Sequence, residues 1–291
     1  MAGTHAKSTL VDLRERFLGT FVPTQKDKPL QIVLKLLSLV SVVALITSTC
    51  YLSGYFISGA RQRSIIAETR AIWHNEGASK KARFNTLLSK NSDFKCWLSV
   101  DGTEIDNPVY QAKNNKYYLK HNQNKQPSRY GALFLDCDSK SPIIYGNTMN
   151  DGTMLTGLKG YRNLGFYKSH PTVTLSTANT DSQYVVFAVL LHSDNPADDG
   201  GHTFSLKNSF SESKEFYLWY DEALERSIIN TGVEVNYGDS ILTLVTRAPD
   251  FDGAQLVVMA RRLNMDEDIA EITDRARVNP SPRHPKRWYE H

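Results

Sequence analysis

The chain has 291 residues, 41% of them hydrophobic and 22% charged, which excludes wholesale disorder and allows one large or two modest domains. Its 34 basic and 31 acidic residues leave a net charge of +3, too even a balance for nucleic acid or another polyanion as the main partner. Three cysteines exclude a disulfide scaffold and a Cys-rich zinc module, and no G-x-x-x-x-G-K-[ST] phosphate loop occurs.

From Leu36 to Ile57 no residue is charged. At about 1.5 Å rise per residue, such a run spans a hydrocarbon core about 30 Å thick. A soluble core helix would show a polar face, and a cleaved signal peptide a shorter apolar run with a small-residue cleavage site. The run has only scattered Ser and Thr, so residues 36–57 are expected to be an uncleaved transmembrane anchor. Lys7, Arg14, Arg16, Lys26, Lys28 and Lys35 precede it, against Arg61, Arg63 and Arg70 just after it. That excess predicts a single-pass protein of the cell membrane, with residues 1–35 cytoplasmic and the C-terminal domain extracellular.

Residues 59–90 read as a helical lead-in. Ile65, Ile66, Thr69, Ile72 and Trp73 recur near helical spacing, Phe84, Leu87 and Leu88 follow, and Gly77 and Ser79 divide the stretch in two. Residues 91–264 have a different texture. Eight short β-prone runs stand between turn signals such as Asp101-Gly102 and Asn150-Asp151-Gly152: 96–100, 108–111, 130–136, 142–147, 172–176, 184–192, 240–246 and 254–263. This predicts a mostly β barrel or sandwich. One helix interrupts the last third, with Phe216, Trp219, Tyr220, Ala223 and Leu224 on one face and Ser211 or Ser213 as cap. Residues 265–291 read as a short helix through Met265, Ile269 and Ile272, then a Pro-rich, basic, flexible tail. Cys96 and Cys137 lie outside the span, either as free thiols or as a pair. No H-E-x-x-H or paired His/Cys spacing occurs, so no metal or other cofactor is expected.

In order along the chain stand W-L-S-V-D-G-T-E-I-D-N-P-V-Y-Q (97–111), N-K-Y-Y-L (115–119), G-A-L-F-L-D (131–136), I-I-Y-G-N-T-M-N-D-G-T-M-L (143–155), D-S-I-L-T-L-V-T-R (239–247) and Q-L-V-V-M-A-R (255–261). Over about residues 60–263 this resembles a class B sortase of Gram-positive bacteria. The resemblance implies an eight-stranded sortase-type β-barrel with N-terminal helices and a helix before the penultimate strand. It also implies a cysteine transpeptidase. In the family a Cys thiolate attacks a backbone carbonyl of a sorting signal, and an amine of a cell-wall precursor resolves the thioester. Such chemistry needs a thiolate nucleophile, a His to protonate the leaving amine and an Arg to steady the oxyanion.

All three positions have changed. The family's Y-G-H-N-M stands here as Tyr145 to Met149, with Asn147 where the His belongs. Its T-L-S-T-C stands as Thr243 to Arg247, with Arg247 at the Cys, and its R-x-V-V-x-A opens here with Gln255. Shifting this last assignment by one, to Ala254, restores no arginine. Asn exchanges no proton near neutral pH, and Arg offers no usable nucleophile. The resemblance therefore implies an inactive relative, a pseudosortase, with Asn147, Arg247 and Gln255 as candidate ligand-binding residues. Its implied partners are a sorting-signal-like peptide, a pilin or other surface protein, or an active sortase. Arg247 either faces a ligand or is neutralised internally by Asp250 or Asp252. One alternative is an active transpeptidase or hydrolase with a relocated nucleophile, Cys96, Cys137 or Thr246, and a base among His121, His170, His192 and His202. Another is a structural remnant without a partner.

Overall fold

The computed structural model describes residues 19–207, 209–264 and 267–290. Lys7, Arg14, Arg16, Met265 and the final His291 lie outside the described residues. The chain forms two compact units, residues 1–61 and 62–291.

In the first unit, Pro29 opens helix α1 (Pro29–Trp73), a position where the missing N–H costs nothing. Just before it, the Lys28 N–H bonds Gln31 Oε1 at 2.8 Å, and Lys35 pairs with Asp27 at 2.9 Å. The helix is long and apolar enough to cross a membrane, and its most apolar 18-residue window is not buried against protein. Its hydroxyls need no water there: Ser41, Thr47 and Thr49 donate to carbonyls one turn back at 2.8–2.9 Å. The sequence reading divided this stretch into a span and a separate lead-in. The structure has one continuous helix, because nothing between Ile57 and Trp73 breaks it.

The second unit begins within α1 at Gln62. Trp73 ends the helix by stacking on Trp97, ring centres 4.9 Å apart and nearly parallel, while Arg70 donates to the Glu104 and Asp106 carbonyls at 2.7 Å each. After the break at Gly77, Ser79 caps α2 (Lys80–Lys90), accepting from the Ala82 N–H.

Eight strands follow: β1 (Phe94–Ser99), β2 (Asp106–Tyr110), β3 (Leu133–Leu135), β4 (Ile143–Tyr145), β5 (Thr172–Ser176), β6 (Asp181–His192), β8 (Ile241–Arg247) and β9 (Gln255–Arg262). They close a barrel in the order β1-β2-β3-β4-β8-β9-β6-β5. Pairs β2–β3 and β4–β8 are parallel and the others antiparallel. Closure leaves these strands no exposed edge. Successive side chains alternate between two cores. Leu242, Leu244, Leu256 and Val258 fill the interior, whereas Ile241, Val245, Val257 and Met259 face outward into a second apolar layer. Helix α4 (Ser213–Arg226) covers that outer layer with Phe216, Trp219 and Ala223, so β8 is buried on both faces until Arg247. A third cluster joins Trp73 and Leu87 to Phe94, Trp97, Tyr110 and Tyr118.

Helix α4 begins after Glu212 with no side-chain cap, so neither Ser211 nor Ser213 fills that role. A short helix α3 (Leu164–Ser169) precedes β5, and α5 (Ile269–Arg275) buries Ile272 as the periodicity predicts. The segment expected to be a flexible tail is tied down. Strand β10 (Arg277–Val278) pairs with β7 (Ile229–Asn230), Asn279 donates to the Ser227 carbonyl at 2.7 Å, and Arg287 donates to Asp198 at 2.8 Å. Its prolines remove backbone donors, so side chains join the remaining N–H groups of Asn279 and Arg283 in holding it.

Candidate functional site

The parallel pairing of β4 with β8 sets Tyr145 beside Val245, so Asn147 and Arg247 leave the same end of the barrel. On the other side of β8, Arg247 and Gln255 are direct partners, and His192 pairs with Gln255 in turn. The three residues picked out by sequence thus come together. They line one cleft of about 370 Å³ with Asn115, Lys116, Leu119, Phe134, Tyr145, Asp194 and Thr246. Gly146 lets Leu133 and Leu155 pack against the chain there: a Cβ would lie 2.3 Å from Leu133 Cδ2.

Asn147 looks to its own backbone. Its Nδ2 donates to the Leu119 and Tyr130 carbonyls at 3.1 Å each, clipping the segment that forms one cleft wall. Gly131 turns that segment with φ +66, and a Cβ on it would meet Tyr118 O at 2.3 Å. Gln255 Nε2 donates to Asp194 Oδ2 at 2.8 Å, while its Oε1 is buried with no partner among the described residues. His192 Nε2 meets the other Asp194 oxygen at 3.1 Å. The His192 hydrogen bond, aided by Gln255, holds the Asp194 carboxyl below its ordinary range against the effect of burial.

Arg247 is exposed and forms no ion pair among the described residues. Of the two alternatives, internal neutralisation by Asp250 or Asp252 is not formed among the described residues. Asp250 instead takes Arg162 in two bonds, 2.6 and 3.1 Å, because the turn closed by Ala248 N–H on Ala254 O directs it away. Asp252 makes no pair with Arg247 either. Both remain on a second cleft of about 600 Å³, which shares Asp194, Arg247 and Gln255 with the first and adds Asp198 and Arg287.

The relocated-nucleophile residues lie elsewhere or are engaged. Burial pushes the Cys96 thiol up to about 12 and raises that of Cys137, so neither is a ready thiolate. Both are free; Cys137 is only half-buried and lines a separate cleft. Thr246 is buried, donates to the Gly146 carbonyl at 2.8 Å and meets Thr148 Oγ1 at 2.8 Å. None of His121, His170, His192 and His202 lines the first cleft. Among the described residues no group of three His, Cys, Asp or Glu is placed to hold a metal.

Sequence reasoning missed Lys116, Asp194 and Arg287. Lys116 stood inside a quoted motif without a role, and Asp194 follows the β6 run by two residues. Nothing in the tail marked Arg287.

No protein-family model matches the chain. It is 27% identical over 213 residues to sortase B of Listeria monocytogenes, covering 68% of this chain and 84% of that protein. The crystal structure of Clostridium perfringens sortase B superposes with a TM-score of 0.56 at 31% identity, over 62% of this chain and 99% of that one. The chain belongs to the class B sortase family. Sortase B from Bacillus anthracis, solved in complex with AAEK1, superposes at a TM-score of 0.63 with 27% identity, over 72% of this chain and 99% of that one. The eight-stranded barrel with its N-terminal helices is thus a sortase B barrel, and the cleft lies where β4 and β8 end and β9 begins.

Proposed function

We propose that this sortase B relative is a catalytically inactive, membrane-anchored protein whose cleft holds an extended peptide without cutting it. Residues 1–35 would lie in the cytoplasm, residues 36–57 in the membrane and the barrel outside, where a sorting-signal-like segment of a surface protein or pilin, or a loop of an active sortase, would be the occupant. The observation that carries the reading is Arg247 at the nucleophile position. A guanidinium carries no lone pair for attack on a carbonyl and remains protonated in proteins. Asn147 has both engaged N–H directions on carbonyls, and Gln255 is held by Asp194, so neither supplies a proton or a charge to a leaving group. What stays is a shaped, mostly apolar groove, which is what peptide binding needs.

The test is a transpeptidation assay on the full-length protein in detergent, with a library of sorting-signal peptides and an amine acceptor. A parallel sample carries Arg247→Cys, Asn147→His and Gln255→Arg together. The natural protein should bind peptide and give no product, and the triple variant should give product. Turnover by the natural protein would overturn the inactive reading. Absence of peptide binding by either would remove the binding half.

A further inference from the structure

The first cleft holds more positive charge than the protein itself uses. Lys116 and Arg247 both line it and are exposed, and neither is in an ion pair among the described residues. The cleft's one carboxylate, Asp194, already accepts from His192 and Gln255. The Asn147 amide is committed to backbone carbonyls. The charged side-chain donors left facing an occupant are therefore Lys116 and Arg247, set among Asn115, Leu119, Phe134, Tyr145 and Val245.

The groove also continues. The second cleft shares Arg247 but adds the exposed Asp252, and its other cation, Arg287, is paired with Asp198 at 2.8 Å. Positive excess is thus confined to the first cleft, and a chain ending at Arg247 would leave the second unfilled. An acidic side chain within a through-running peptide satisfies both facts. Its carboxylate would accept from Arg247 while its apolar neighbours cover the walls, the pairing for which a guanidinium is best suited.

We propose that the cleft selects an extended peptide bearing an internal Asp or Glu between apolar residues, and that Arg247 is the selecting group. This rests on the peptide-binding reading above and goes beyond it in naming the ligand's chemistry.

The test measures binding to the full-length protein in detergent by fluorescence anisotropy. The peptides are acetylated and amidated pentapeptides with a central Glu or Gln between Leu and Val. A third, central-Gln peptide has a free C-terminal carboxylate. The Glu peptide should bind about ten- to a hundredfold tighter than its Gln twin, as a desolvated charge-assisted bond implies. Raised salt should narrow that gap. Arg247→Gln should abolish the preference, and Arg247→Lys should keep part of it, with thermal melting showing both variants folded. Equal binding of the Glu and Gln peptides would overturn this inference and leave the peptide-binding reading standing. So would equal preference for the peptide with only a terminal carboxylate. No binding of any peptide would take both down.

Discussion

Arg226 offers a sharp test of how the end of α4 is held. Its side chain is 2% exposed at the end of α4, and it donates to Asp199 at 2.6 Å and to Glu222 at 2.8 Å. Its guanidinium also lies 5.7 Å from the centre of the Phe204 ring. Arg226→Met keeps most of the volume and removes the charge. Removing one partner of a buried pair costs about 3–5 kcal/mol, because the other charge is left uncompensated. Here the lower end applies. Glu222 keeps Arg283 at 2.7 Å and His202 at 2.8 Å, and Asp199 keeps the Lys286 N–H at 3.3 Å. A loss of about 3 kcal/mol at about 2–4 °C per kcal/mol gives a melting point lowered by roughly 6–12 °C. Circular dichroism of the full-length protein in detergent measures it. A shift below about 2 °C would mean that the desolvation of the native pair cancels its attraction, and the argument would fail.

Two further outcomes follow from bonds already described. Asn147→Ala removes the donor to the Leu119 and Tyr130 carbonyls, at a cost of about 1–3 kcal/mol, and should speed amide hydrogen exchange selectively across residues 119–131; unchanged exchange there would refute the clip. Glu267 is held below its ordinary 4.5, chiefly by the hydrogen bond from Arg261, so its contribution is complete above that pH and is lost as pH falls through the lowered value. Arg261→Gln should therefore reduce stability at neutral pH and flatten the acid side of the stability–pH curve, and an unaltered acid limb would refute the assignment.

The barrel was legible because its information is local. Strand β5 coincides with the run 172–176, and the other seven barrel strands overlap theirs, since β-branched alternation and turn residues write a strand into adjacent positions. The helical face on Phe216, Trp219 and Ala223 was legible for the same reason. The site was half legible. Flanking motifs located Asn147, Arg247 and Gln255, and barrel pairing brings them together. What those side chains touch was not, because partners such as Asp194 for Gln255, Arg162 for Asp250 and Leu119 for Asn147 are chosen by loops whose closure has no periodicity. The docked C-terminus was hidden likewise. Its proline and charge content reads as solvent-loving, while its anchors are a two-residue strand pair and scattered long-range bonds to Ser227, Glu225 and Asp198.

Under the inactive reading proposed above, the Asn147 clip bears on any route to transpeptidase chemistry. A carboxamide carries two hydrogens on one nitrogen and so reaches two carbonyls from one atom, whereas a neutral imidazole donates from a single nitrogen. A histidine introduced at 147 would give up one of the two holds on the 119–130 wall before it had a thiolate to serve. The first step of such a route would loosen the structure and bring no catalysis, and the present arrangement would resist drift toward an active enzyme one substitution at a time.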